Sequence, residues 1–88
     1  MEYMQVKRDL NKVKEMEYIR QSELAELTGV RASTVKYYSE LGLIPYKQEG
    51  ERLSKMYHRE SSIKRIQEIL ELKKQGKSVT EIISYYIK

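Results

Sequence analysis

A chain of 88 residues forms one small domain, which buries only roughly 60–65% of its unfolded surface and has no room for an elaborate active site. The formal net charge of +4 favours an anionic partner, and the absence of cysteine excludes disulfides and thiolate metal sites. No apolar run approaches the roughly 18 residues of a membrane span, and the N-terminus is charged, so we expect a soluble, cytoplasmic protein.

The first predicted element is an amphipathic helix within residues 3–17. Its face of apolar or long side chains, spaced three and four residues apart, consists of Tyr3, Val6, Leu10 and Val13. This face either mediates dimerisation or packs on the chain's own domain. Periodicity shows that a face is buried but not against what, so both alternatives stay open. We therefore separate residues 1–17, a possible dimerisation element, from a second unit, residues 18–88.

Two short helices are predicted next, over residues 22–28 and 32–41. Gly29 lies between them and tolerates the positive φ that ends the first helix. A short turn containing glycine between two helices is typical of a helix-turn-helix motif. Because that motif presents its second helix to the major groove, the sequence predicts binding to double-stranded DNA.

A polar segment, residues 46–58, follows the second helix. Pro45 prevents the helix from continuing into it. The segment is centred on Gly50 and flanked by residues that fit short strands, which predicts a small β-hairpin, although it lacks an Asn-Gly or Asp-Gly turn. Arg52 and Lys55 are placed to reach phosphates if the hairpin forms. The alternative is an ordinary solvated loop.

The last two predicted helices serve as scaffold. Apolar residues at helical spacing predict one helix over residues 62–75, which ends at Gly76. Ser78 and Glu81 form a capping box that begins the final helix. The basic residues of this region are expected to form a solvated face, which comprises Lys64, Arg65, Lys73, Lys74 and Lys77.

Catalytic patterns are absent from the sequence. The sole histidine, His58, lies in a predicted loop, and spacing gives it no serine or aspartate partner. There is no glycine-rich phosphate loop, no His-Glu-x-x-His motif and no cluster of metal ligands. We predict that the chain is not an enzyme and carries no cofactor.

The order of these motifs resembles the DNA-binding domain of the MerR family of bacterial transcription regulators. The resemblance covers residues 18–86. It rests on the pair Tyr37-Tyr38, the exit Glu40-Leu41-Gly42-Leu43-Ile44-Pro45, a wing with Arg52 and Tyr57, and the helix start Gln75-Gly76-Lys77-Ser78-Val79-Thr80-Glu81-Ile82. It implies a mainly helical, winged helix-turn-helix fold with a small β-hairpin wing, preceded here by an extra N-terminal helix.

The resemblance also implies roles for individual side chains. One of Tyr37 and Tyr38 reaches the sugar-phosphate backbone, and the other packs inside the motif. Arg52 takes the position of the wing arginine that contacts phosphate or the adjoining minor groove. Ala32, Ser33 and Lys36 lie nearest the bases. The full expected DNA-binding set is Arg31, Ala32, Ser33, Thr34, Lys36, Tyr37, Tyr38, Arg52, Lys55 and Tyr57.

The sequence departs from the family pattern at several positions. Arg31 stands where a serine usually caps the recognition helix, so either Arg31 contacts phosphate instead or Ser33 caps a shortened helix. Ser33 stands where arginine is common, which weakens one strong contact. The wing is lengthened around residues 54–56. The family's long dimerisation helix and effector domain do not follow, so no small-molecule effector is inferred.

One DNA-binding module usually buries about 600–1,000 Å² on DNA, too little for tight specific binding alone. We therefore expect a homodimer or a cooperative oligomer on DNA, with the Tyr3-Val6-Leu10-Val13 face as the candidate contact. The main hypothesis is a sequence-specific, nucleoid-associated transcription regulator. The alternatives are an architectural accessory protein for recombination or plasmid partition, and a winged-helix module for protein contacts.

Overall fold

Helices dominate the computed structural model, which describes residues 8–87. Within these residues it has five helices and two short strands, in the order α1 (Leu10–Val13), β1 (Tyr18–Arg20), α2 (Gln21–Thr28), α3 (Ala32–Glu40), β2 (Met56–His58), α4 (Arg59–Lys74) and α5 (Val79–Tyr86). The predicted fold class, a mainly helical winged helix-turn-helix, is confirmed.

The turn between α2 and α3 is built as the sequence predicts. Gly29 has φ 75°, in the left-handed region, and its N–H donates to the carbonyl of Ala25. The Val30 N–H donates to the same carbonyl over 3.2 Å. A residue with a Cβ is strained in this conformation, so glycine is the residue that lets α2 stop and the chain reverse into α3.

The two strands pair with each other across a long stretch of sequence. The ladder is antiparallel, with Ile19 opposite Tyr57 at its centre. The wing loop is closed by one further bridge, in which the backbones of Lys47 and Met56 exchange two hydrogen bonds of 2.8 Å. The second arm of the predicted hairpin, which is β2, therefore pairs mainly with β1. The residues that follow Lys47 are mostly polar and exposed, and they add no further strand.

One hydrophobic core receives side chains from every element. Its buried members are Val13, Ile19, Leu24, Ala25, Val35, Tyr38, Leu43, Ile44, Tyr57, Ile66, Ile69 and Ile82. The helix-turn-helix, the two strands and the two C-terminal helices thus share one interior, and the recognition helix is held by the same packing that folds the chain.

The N-terminal segment is less helical than its periodicity predicts. Helix α1 ends at Val13, so within residues 8–17 the continuous helix expected over 3–17 is wrong. Val13 is 0% exposed and belongs to the core, and Leu10 packs against it. Burial of an aliphatic side chain contributes about 1.5–3 kcal/mol, so Val13 is not free to contact a second chain. Tyr3 and Val6 lie outside the described residues.

An ion pair fastens this segment to the start of α2. The guanidinium of Arg8 donates two hydrogen bonds to the carboxylate of Glu23, one of them from Nε to Oε2 over 2.6 Å. The same carboxylate accepts the N–H of Arg20 over 2.7 Å. The Arg8 hydrogen bond, more than the opposing burial, holds the pKa of Glu23 below its usual value.

His58 takes a structural position that differs from the predicted solvated loop. Helix α4 begins at Arg59, and His58 is its N-cap, with Nδ1 accepting the Ser61 N–H over 3.3 Å. The imidazole is half-buried and stands edge-on to the ring of Tyr18, with 5.6 Å between ring centroids. A histidine cap carries no strong sequence signal, because serine, threonine, asparagine and aspartate are the usual caps.

The predicted capping box of α5 is confirmed. The Glu81 N–H donates to Oγ of Ser78 over 3.1 Å, and the Ser78 N–H donates to the Glu81 carboxylate over 3.0 Å. Both partners lie within four residues of each other, so the sequence alone specifies this helix start.

The substitution Glu23→Gln tests the ion pair. We expect the unfolding free energy to fall by about 1–3 kcal/mol at neutral pH, because Arg8 loses its charged partner. Because the folded pKa of Glu23 lies below its unfolded value of 4.5, this stabilisation is present above 4.5 and is lost as the pH falls through the folded pKa. Urea unfolding should therefore show the two proteins converging in acid. A constant difference in acid would contradict the assignment, and Glu15→Gln at an exposed position is the control.

Candidate nucleic-acid interface

The recognition helix α3 begins without a side-chain cap. Arg31 is the N-cap residue, and its side chain makes no capping hydrogen bond. Its carbonyl accepts the N–H groups of Thr34 and Val35 over 2.9 and 3.2 Å. The alternative in which Ser33 caps a shortened helix is therefore wrong. The Arg31 side chain is exposed beside the first turn, where a phosphate contact remains a prediction.

One side of α3 is open to solvent along its first turns. Val35, Tyr38 and Ser39 face the interior and are buried. Thr34 is half-buried, whereas the outward positions carry the exposed residues Ala32, Ser33, Lys36 and Tyr37. Lys36 Nζ lies 3.9 Å from a carboxylate oxygen of Glu40, and both side chains are more than half exposed. Such a surface pair is weak, so Lys36 is available to another anionic or polar partner.

The two adjacent tyrosines of α3 have different environments. Tyr38 is 3% exposed and belongs to the core, whereas Tyr37 is 48% exposed. Their ring centroids are 5.8 Å apart, so the buried ring supports the exposed one. The resemblance left open which tyrosine packs and which points outward. The structure places Tyr38 inside, and Tyr38 is therefore removed from the expected contact set.

A short hydrogen-bond chain ties strand β2 to α3. The hydroxyl of Tyr57 lies 3.1 Å from Oγ of Ser39, and Ser39 Oγ donates to the Lys36 carbonyl over 2.9 Å. Tyr57 is 0% exposed, and burial raises the pKa of its hydroxyl. The expectation that Tyr57 contacts DNA is therefore wrong, because its ring and hydroxyl are enclosed. Through this hydrogen bond Tyr57 joins β2 to the recognition helix.

The wing loop is braced by Gln48. Its amide Nε2 donates to the carbonyl of Leu53 over 2.8 Å and lies 3.4 Å from the carbonyl of Glu51. The Leu53 N–H in turn donates to the Gly50 carbonyl over 3.0 Å. Arg52 lies between the braced carbonyls with its side chain exposed. Sequence reasoning missed Gln48, because a glutamine in a polar loop gives no pattern that distinguishes it.

Two lysines of the wing lie over aromatic rings. Lys55 Nζ is 4.6 Å from the centroid of the Tyr46 ring, and Lys47 Nζ is 4.6 Å from that of Tyr18. Attraction between an ammonium group and a ring face restricts where each charge lies. The rings thus hold positive charge at the base of the wing while the lysine N–H groups stay able to donate.

A groove of about 280 Å³ brings the wing to the start of the recognition helix. It is lined by Ala32 from α3, by Ser54 and Lys55 from the wing, and by Arg20, Gln21 and Ser22 at the start of α2. A larger cleft of about 490 Å³ lies beyond Arg20 and is lined also by Arg8, Tyr18 and Lys47. Of the expected contact residues, Ala32 and Lys55 are thus brought together. Arg20 and Gln21 were not predicted, since their place beside the wing depends on the β1–β2 pairing.

Comparison with family models identifies the family of this chain. The model for MerR HTH family regulatory proteins matches residues 19–86, from β1 to the end of α5. The chain belongs to the MerR family. The match includes the helix-turn-helix, the wing and both C-terminal helices. The family consists of DNA-binding regulators and not of enzymes. Comparisons with curated proteins and with solved structures each found no match.

Among residues 8–87, no helix is both long and apolar enough to cross a membrane. The same residues contain no group of three or more histidine, cysteine or acidic side chains arranged to hold a metal ion.

The substitution Tyr57→Phe separates a positioning role from a contact with DNA. Loss of the buried hydrogen bond to Ser39 should lower the unfolding free energy by about 1 kcal/mol in urea titrations. DNA site preference should not change, because the hydroxyl is enclosed. Tyr46→Phe, at an exposed ring, is the matched control and should change stability little. Unchanged stability together with altered site preference in Tyr57→Phe would contradict the assignment.

Proposed function

We propose that the chain is a small transcription regulator that binds specific sites in double-stranded DNA. In this proposal α3 enters the major groove and the wing lies on the adjacent backbone or minor groove. The observation that carries it is the groove in which Ala32, at the start of α3, lies beside Lys55 of the wing. A helix end and a cationic loop joined in this way fit a winged helix-turn-helix contact with a duplex.

The exposed side chains divide into two chemical groups. Ser33 and Lys36 carry hydrogen-bonding groups suited to base edges in the major groove, and the methyl of Ala32 suits a thymine methyl. Positive charges for phosphate oxygens come from Arg31 and from the wing cations Arg52 and Lys55. Tyr37 and Thr34 offer hydroxyl groups to the same oxygens. Short side chains thus read sequence while cations and hydroxyls fix the register.

A selection of bound duplexes from a random pool tests the proposal. The protein should enrich one defined sequence, and anisotropy titrations should then show tighter binding to that sequence than to a scrambled duplex. Enrichment without a sequence preference would favour the architectural alternative. No binding to duplex DNA at low salt would overturn the proposal and leave the protein-contact alternative.

Lys36→Ala tests base reading by α3. We expect the selected sequence to change at one or two positions, because a lysine that donates to guanine is worth about 1–3 kcal/mol of discrimination. Selection from the same random pool checks this. Lys73→Ala, at an exposed position of α4, is the matched control and should retain the wild-type preference. An unchanged preference in Lys36→Ala would reject Lys36 as a base-reading residue.

Arg52→Ala tests the wing. Binding should weaken about equally on all duplexes, and the slope of log affinity against log salt should fall by about one, because one phosphate contact is lost. Salt titrations by anisotropy, with the selected and a scrambled duplex, measure both quantities. Glu49→Ala, at an exposed wing position of opposite charge, should not reduce the slope. Loss of affinity for the selected duplex alone would show that Arg52 reads sequence instead.

A further inference from the structure

The base of the wing, where Lys47 bridges Met56, carries one lysine on each of its two faces. Residues paired across a bridge place their side chains on the same face, so Lys47 and Met56 share one face. Consecutive side chains of an extended chain point to opposite faces. Tyr46 and Lys55, which directly precede these two residues, therefore lie on the other face. The two lysines are thus separated by the backbone of the wing.

Lys55 lies on the inner face, which is turned toward the core. Its Nζ is 4.6 Å from the centroid of the Tyr46 ring. The Tyr46 ring is tilted against the buried ring of Tyr57, with 6.2 Å between centroids. Lys55 also lines the groove that contains Ala32 of the recognition helix. A phosphate bound by Lys55 would therefore lie on the side of the wing that faces α3.

Lys47 lies on the outer face, over the ring of Tyr18. Arg20 is opposite Met56 in the ladder, and Tyr18 is two residues from Arg20 along β1, so Tyr18 shares this face. Lys47 Nζ is 4.6 Å from the Tyr18 ring centroid, and His58 supports the ring edge-on. Lys47 is exposed and forms no ion pair with any of residues 8–87. Its charge is held in one place while its N–H groups can donate to an anion.

The outer face borders the cleft of about 490 Å³. Three cations line this cleft, Arg8, Arg20 and Lys47, and Glu49 is the one carboxylate among its described lining residues. The charge of Arg8 is offset by its pair with Glu23. The remaining side chains still carry more positive than negative charge, so the cleft favours an anionic group such as a phosphate.

We propose that Lys47 and Lys55 bind phosphates of opposite strands of one duplex, one on each face of the wing. The inference rests on the proposed function, because it takes the wing to enter the groove beside the one that α3 reads. A wing in a groove has one sugar-phosphate backbone along each of its faces. Cations on both faces then fix its position between the two strands. The sequence had named Lys55 as a contact and had given Lys47 no role.

Duplexes in which one phosphate at a time is replaced by a neutral methylphosphonate test the proposal on the sequence selected from the random pool. Wild type should lose affinity when a phosphate beside the wing is replaced on either strand. Lys47→Gln should lower the slope of log affinity against log salt by about one and lose sensitivity on one strand. Lys55→Gln should lose sensitivity on the other. Lys73→Gln, at an exposed position of α4, removes the same charge and should keep the wild-type pattern.

Substitutions of Tyr18 test whether its ring positions Lys47. Tyr18→Phe keeps the ring and should bind as wild type does, whereas Tyr18→Leu should bind about two- to fivefold more weakly. That loss should disappear in a Lys47→Gln background, because the ring then has no charge to hold. A loss caused by altered packing would persist there and would overturn the positioning role. Circular dichroism should show that each variant is folded.

The strand assignment separates this inference from the proposed function. If Lys47→Gln kept the wild-type slope and pattern, or if both lysine variants lost sensitivity on the same strand, the inference alone would be overturned. A wild type that binds no duplex would contradict the proposed function, and this inference with it.

Discussion

The hydrogen-bond chain from Tyr57 through Ser39 to the Lys36 carbonyl sets the position of the recognition helix relative to the wing. It joins β2, the strand that closes the wing, to the middle of the recognition helix. A buried hydroxyl pair costs free energy when broken, so this contact holds the wing base against α3. The groove that joins Ala32 to Lys55 depends on this connection, because Lys55 directly precedes β2. A fixed separation between helix and wing is what a duplex of regular geometry requires.

Other contacts hold the opposite side of the same motif. The Arg8 pair with Glu23 fixes the start of α2, and the Arg59 side chain donates to the Met16 carbonyl over 2.8 Å. The N-terminal segment is thereby packed against the domain, with Val13 in the core. A domain of this size buries a modest fraction of its surface, so its core alone gives limited stability. The polar contacts of Arg8 and Arg59 add to that stability.

Local signals account for what the sequence predicted well. Gly29 and the Ser78–Glu81 capping box act within a few residues, and the helices they bound were predicted nearly to their ends. The pairing of β1 with β2 joins residues about 40 positions apart and left no periodic trace, and with it the place of Arg20 beside the wing was missed. The same limit explains Tyr57 and Val13. Periodicity and resemblance name a residue, whereas only the folded chain shows whether its side chain points inward.

We propose that α3 and the wing form one DNA-binding face. Amide chemical shifts, recorded while a labelled sample is titrated with the selected duplex, test it most directly. We expect residues 31–37 and 52–55 to shift together along one binding curve, while α4 and α5 change little. Shifts confined to α4 and α5, or separate curves for α3 and the wing, would contradict this proposal.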